Sequence, residues 1–242
     1  MRDHEPRSLD IVAVDRSNIM TDPRGGPASD REARRSEIAI AIVITVAARA
    51  IPDWWVLAEP WRRNLLGLRA VRWDAYWTAW LLIFGALLAL SSPIRSGLRF
   101  GAFRQHRRAV ALVTLGPPVL AALLYPLFPT RPFGNLSAAM WTTGPLAQNL
   151  IFLGFIYGRL EPIVPGMVGR RIPVRWALVA TCLCFGVFHL PNLRTLPVGV
   201  VLAQVAYTSL LMIVPGLSRQ WTGSSLYATL CHVLVNLVAW LS

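Results

Sequence analysis

Three kinds of polar side chain, Gln, Asn and His, stand inside strongly apolar runs, and their spacing could support chemistry. Gln148 and Asn149 are adjacent at the head of "QNLIFLGFIYGRL". His189 ends "FGVFH", four residues after Phe185, so the two share a helix face. His232 and Asn236 bear the same four-residue relation in "HVLVN". Imidazole exchanges protons near neutral pH and binds metals. An amide N–H can donate to a developing oxyanion. Each residue alone is ordinarily a hydrogen bond between helices, worth about 0.6 kcal/mol. Polar sites on three separate apolar segments point instead to one shared pocket, since polar groups in hydrocarbon are costly.

The elements that must position these residues follow from the apolar pattern. Hydrophobic residues make up 55% of the 242-residue chain, and the mean hydropathy is +0.48. That composition fits an all-α, polytopic transmembrane bundle. The apolar runs Ala75–Ser92, Ala109–Pro129, Leu136–Tyr157, Trp176–Leu190, Leu196–Leu217 and Gly223–Leu241 predict six spans. Ile38–Ala58, interrupted by Arg49 and Asp53, predicts a seventh. Gly116-Pro117-Pro118 predicts a kink in the second of the six. Thr222 or Ser224 is placed to cap the last span. Residues 1–36 are charged throughout and predict a disordered or loosely attached tail, with 37–242 as the membrane domain.

Every basic residue is Arg, and the formal charge is +12. This reflects loops flanking membrane spans rather than nucleic-acid binding. The Arg-rich segments 93–108 and 161–175 predict cytoplasmic loops and a cytoplasmic N-terminus, in a bacterial inner membrane. The segment from Asp53 to Asp74 combines Arg with four Trp and predicts an interfacial stretch. Cys182, Cys184 and Cys231 all sit in apolar runs, where free cysteine is ordinarily a small buried hydrophobe.

Over about residues 110–242 these motifs resemble the CAAX prenyl endopeptidase and bacteriocin-processing (CPBP) family of intramembrane proteases. Its motifs run Glu-Glu-x-x-x-Arg, Phe-x-x-x-His, His-x-x-x-Asn. The second aligns on Phe185 to His189, and the third on His232 to Asn236 after "TGSSL". The first aligns on "QNLIFLGFIYGRL", with Gln148 and Asn149 in place of the carboxylates and Leu153 in place of the Arg. The resemblance implies cleavage of a membrane-associated peptide or CAAX-type protein. It implies site residues Gln148, Asn149, His189, His232 and Asn236, with the lipid bilayer as surroundings.

In such a family the first Glu activates the attacking water. An amide oxygen cannot take that proton at physiological pH. Glu161 is the only acid after residue 75; it lies thirteen positions beyond Gln148, roughly 20 Å along a helix, before "EPIVPG" ends it. His189 or His232 could act as base, since free imidazole titrates near 6.5. The alternative is a pseudoprotease that binds a peptide, lipid tail or membrane partner. No cofactor is required; a divalent metal on His189 and His232, with Cys231, is a third reading.

Overall fold

The computed structural model describes residues 27–57, 73–99, 103–124, 138–169 and 172–241. It is helical nearly throughout. Helix α1 covers Pro27–Leu57, α2 Trp73–Ser91 and α3 Phe103–Leu124. Helix α4, Ala138–Asn149, runs without a break into a π-helical segment, Leu150–Ile156, and a last α turn, Tyr157–Leu160. Helices α5 (Trp176–Val187), α6 (Val198–Thr222) and α7 (Ser225–Leu241) complete the set. Two-residue strands β1 (Met167–Val168) and β2 (Val174–Arg175) pair antiparallel, an addition to the all-α expectation.

Among the described residues three helical stretches are long and apolar enough to cross a bilayer: Arg107–Leu124, Trp176–Arg194 and Val198–Thr222. Thr78–Ser91 and Ser225–Val238 are apolar but shorter. Each of the seven expected spans overlaps a helix, while only these three satisfy length and hydropathy together. The shortfall has physical reasons. Helix α1 is charged over its first turns, and the apolar stretches of α2 and α7 are short. The start of the span on α4, 136–137, lies outside the described residues, as does 125–129 at the end of the qualifying span on α3. Helix α1 starts at Pro27, ahead of the boundary expected at residue 37, and α3 remains helical through Pro117 and Pro118. Leu112 and Leu123 on α3 and Leu210 on α6 are among large apolar side chains left exposed, as a lipid-facing exterior requires.

The interior is built around α4 and its π-helical continuation. Ile151, Phe152, Leu153 and Ile156 are fully buried, together with Tyr157. Helix α2 packs along α4, and α7 packs against α3, α4 and α6. The α2–α4 approach is close because Gly85 lacks a side chain: a Cβ there would lie 2.9 Å from the Ala147 carbonyl. Small residues permit such backbone contact between helices in lipid. This contact fixes the turn immediately before Gln148 and Asn149.

A second anchor gathers four elements around one arginine. Arg219, near the end of α6, is only 4% exposed. Its Nε donates to the Leu153 carbonyl at 3.2 Å, and its Nη2 to the Arg95 carbonyl at 2.5 Å. Its guanidinium also lies 5.5 Å from the Tyr157 ring centre. Arg95 belongs to a short turn, Pro93–Ser96, closed by Gly97 at φ 67°. Ser225 at the head of α7 holds the same turn, its Oγ donating to the Ser96 carbonyl at 2.7 Å and its N–H to that of Gly97 at 2.9 Å.

Gly97 is required twice. Its φ favours glycine, and a Cβ would sit 2.5 Å from Arg219 Cζ and 2.6 Å from the Gly223 carbonyl. Gly97→Ala is therefore expected to destabilise the protein by about 2–4 kcal/mol, from left-handed strain plus overpacking. Thermal unfolding in detergent measures this; a midpoint equal to that of the unaltered protein would refute the packing described.

Candidate active site

The three aligned motifs arrive from three elements. Asn149 is the last residue of α4, where the hydrogen-bond ladder changes register. Within the π-helical segment the ladder skips an extra residue, as where the Tyr157 N–H reaches the Phe152 carbonyl five residues back. Such insertions occur often at functional sites. Helix α5 brings Phe185. It stops at Val187 because Pro191, lacking an N–H, cannot extend the ladder. His189 stands at that break, ahead of the 3₁₀ turn Leu190–Arg194.

Helix α7 brings His232. Helix α6 ends at Gly223, whose N–H returns to the Arg219 carbonyl at 2.9 Å. Ser224 then caps α7, its Oγ accepting the Leu226 N–H at 3.2 Å. Thr222 Oγ1 accepts the Ser224 N–H at 3.0 Å. "TGSS" thus turns the chain between two packed helices and sets the rotation of α7 about its axis.

Asn149 meets His232 directly. Its side chain is fully buried. Nδ2 faces the Ala228 carbonyl at 3.5 Å, and Oδ1 faces His232 Nδ1 at 3.5 Å, both at the outer edge of hydrogen-bond distance. The carbonyl of Ala228 can only accept, so the amide nitrogen points there and the amide oxygen toward the imidazole. His232 Nδ1 is then the donor, and its Nε2 keeps the lone pair.

His189 reaches the same assignment by a firmer route. Its Nδ1 lies 3.0 Å from the Phe185 carbonyl, an acceptor only. The neutral ring therefore carries its proton on Nδ1 and presents an unprotonated Nε2. Both imidazoles stand edge-to-face against the Phe185 ring, with centroids 5.2 Å away for His189 and 6.1 Å for His232. Phe152 meets Phe185 and Phe188 edge-on at 5.2 and 5.6 Å. The Phe-x-x-x-His phenylalanine is thus the wall shared by both histidines.

Not every residue of the expected site is engaged in this way. Gln148 and Asn236 are half-buried, and neither finds a hydrogen-bond partner among the described residues. Their amides are available to a bound molecule. Cys231 is buried, and no three His, Cys, Asp or Glu side chains come together among the described residues. Glu161 is held by Arg175 at 2.9 Å, and Glu37 on α1 by Arg159 at 2.7 Å. Residues that sequence reasoning passed over also matter here. Arg219 bonds the Leu153 carbonyl within the first motif, and Arg49 reaches the turn after His189. For Arg219 the available signal was an arginine just past an apolar run and before the capping residues.

Residues 132–238 match the family model described as type II CAAX prenyl endopeptidase Rce1-like, which spans all three aligned motifs. No curated protein and no solved structure gives a significant match.

Proposed function

We propose that this chain, which carries an Rce1-like domain over residues 132–238, is an endopeptidase-like integral membrane protein that has kept the peptide pocket and lost its carboxylate base. It binds a membrane-associated peptide or CAAX-type protein between α4, α5 and α7. It crosses a bacterial inner membrane with seven spans and a cytoplasmic N-terminus. The observation that carries this reading is Asn149. It stands where the family places a carboxylate, and its amide is directed at the Ala228 carbonyl and His232. An amide holds the pocket's shape without accepting a proton. Glu161 and Glu37 are both in ion pairs, so neither stands ready to replace the base.

A second reading is slow hydrolysis driven by histidine, favoured by the Nδ1–H state of His189. Its Nε2 would take a proton from water as the water oxygen attacks the scissile carbonyl carbon. The carbonyl electron pair would move to oxygen, where the Gln148 or Asn236 amide N–H could donate to it. Collapse of that intermediate would expel the amine, which takes the proton back from the imidazolium.

Full-length protein in lipid nanodiscs, titrated with a fluorescent prenylated CAAX-type peptide, tests both readings. The expected result is saturable binding, weakened about tenfold by His189→Ala and by His232→Ala, the equivalent of one hydrogen bond. Product formation should stay at background. Binding indifferent to both substitutions would overturn the pocket; rapid cleavage lost in His189→Ala would favour histidine-driven hydrolysis.

A further inference from the structure

We infer that Asn192, held by Arg49 of α1 and Gln204 of α6, is the positioning residue for His189, so that a helix outside residues 132–238 completes the site. The inference rests on the reading of His189 as a working imidazole.

The hydrogen-bond chain is continuous. Arg49 Nη2 donates to Asn192 Oδ1 at 3.1 Å, and Asn192 Nδ2 donates to Gln204 Oε1 at 2.9 Å. Both ends of the Asn192 amide are therefore used, one toward each flanking helix. Asn192 also closes the turn that carries His189, because its backbone N–H donates to the His189 carbonyl at 3.0 Å. Arg49 acts on the other side of His189 as well: its guanidinium lies 5.8 Å from the Phe188 ring centre. Phe188 in turn meets the His189 ring edge-on at 5.4 Å. The imidazole is thus bracketed by two neighbours that one arginine touches.

The need for such a brace follows from the local chain. His189 sits past the last turn of α5, where Pro191 has ended the regular ladder, so helical hydrogen bonding alone does not fix it. Its Nδ1 bond to the Phe185 carbonyl holds only while the turn keeps its place against α5. A half-buried polar chain, bonded at both ends of the Asn192 amide, favours one arrangement of such a turn, because the alternatives leave these polar groups unpaired. Arg49 is one of the two charged residues, with Asp53, that interrupt the Ile38–Ala58 apolar run. A charge inside an apolar helix is costly without a partner, and the Asn192 amide gives its guanidinium one within the protein.

The test uses full-length protein labelled with ¹⁵N-histidine in nanodiscs, at about pH 8 so that ordinary imidazoles are neutral. Ring ¹⁵N signals are assigned by His189→Gln and His232→Gln. Wild-type His189 is expected to show one form, protonated on Nδ1. Asn192→Leu is expected to convert this to a mixture of tautomers while the His232 signal stays in place. Gln204→Met and Arg49→Met, each removing one end of the brace, are expected to act in the same direction. Asn192→Asp should restore the single form, since its carboxylate accepts from Arg49 and from a rotated Gln204 amide.

An unchanged His189 ring in Asn192→Leu overturns the inference. So does a parallel shift of His189 and His232 in every variant, which marks general loosening. Peptide titration of the same samples separates the two claims. A perturbed ring in Asn192→Leu, with binding indifferent to His189→Ala, overturns the peptide pocket and leaves the brace standing. An unperturbed ring, with binding sensitive to His189→Ala, does the reverse.

Discussion

Gln148→Glu is expected to confer peptide cleavage on the proposed pocket. The change is isosteric, replacing an amide NH₂ by a carboxylate oxygen. Gln148 is half-buried and bonds to no described residue, so the substitution breaks no contact there. The new carboxylate stands at the first position of the aligned motif, one residue from the Asn149–His232 contact. A positioned general base contributes about 10²–10⁴-fold in rate, so product should rise by that order over wild type. The rise should follow deprotonation of the new carboxyl group, with activity low in acid and increasing as pH passes its titration.

Asn149→Asp is expected to fail where Gln148→Glu succeeds. The Asn149 Nδ2 faces the Ala228 carbonyl at 3.5 Å. An ionised carboxylate there sets oxygen against oxygen in a buried place, which costs free energy instead of supplying a base. Fluorogenic cleavage of a prenylated peptide in nanodiscs measures both variants. Gln148→Glu/His189→Ala should return the rate to background. Equal, background rates in wild type and Gln148→Glu would place the scissile bond away from residue 148.

Arg219→Ala is expected to be the most destabilising single substitution considered. The guanidinium makes charge-assisted bonds to the Leu153 and Arg95 carbonyls. Hydrogen bonds to a charged group are worth about 1.5–3 kcal/mol each, and their loss leaves acceptors unpaired. A loss of about 3–5 kcal/mol follows, enough to consume much of the stability of an ordinary domain. Arg219→Lys should recover only part, because an ammonium cannot reproduce the planar fork that spans both carbonyls. Denaturant unfolding in detergent, followed by circular dichroism, checks the order wild type, Lys, Ala. Similar midpoints for all three would mean that Arg219 does not hold the π-helical segment to the turn at Pro93–Ser96.

The helices were legible because apolar runs and cap residues are local signals. "TGSS" predicts a cap near the start of the last helix, and Ser224 is that cap. The pairing of Phe185 with His189 was legible too, as a spacing of four. What the sequence concealed depends on register and on distance through space. Nothing in "LIFLGFI" marks a π-helical ladder, because its composition suits an α-helix equally well. Arg49 read as an interruption, and its partner Asn192 lies 143 residues away. The contact of Asn149 with His232 could be suspected from their types. The direction of each amide and ring came only from the acceptors that face them.

The π-helical segment also sets the relative phase of two surfaces. Ahead of it, α4 turns Asn149 toward His232. Beyond it, Tyr157–Leu160 turns Arg159 toward Glu37 on α1. An added residue in a helix shifts everything after it by about 100° of rotation. A ladder that absorbs the extra residue spreads that shift along seven positions, so the two faces can be aimed separately. The segment works as a coupling between misaligned shafts. Excising one residue from it would restore regular winding and swing either the site or the rim ion pair out of line, though every side chain in both were left intact.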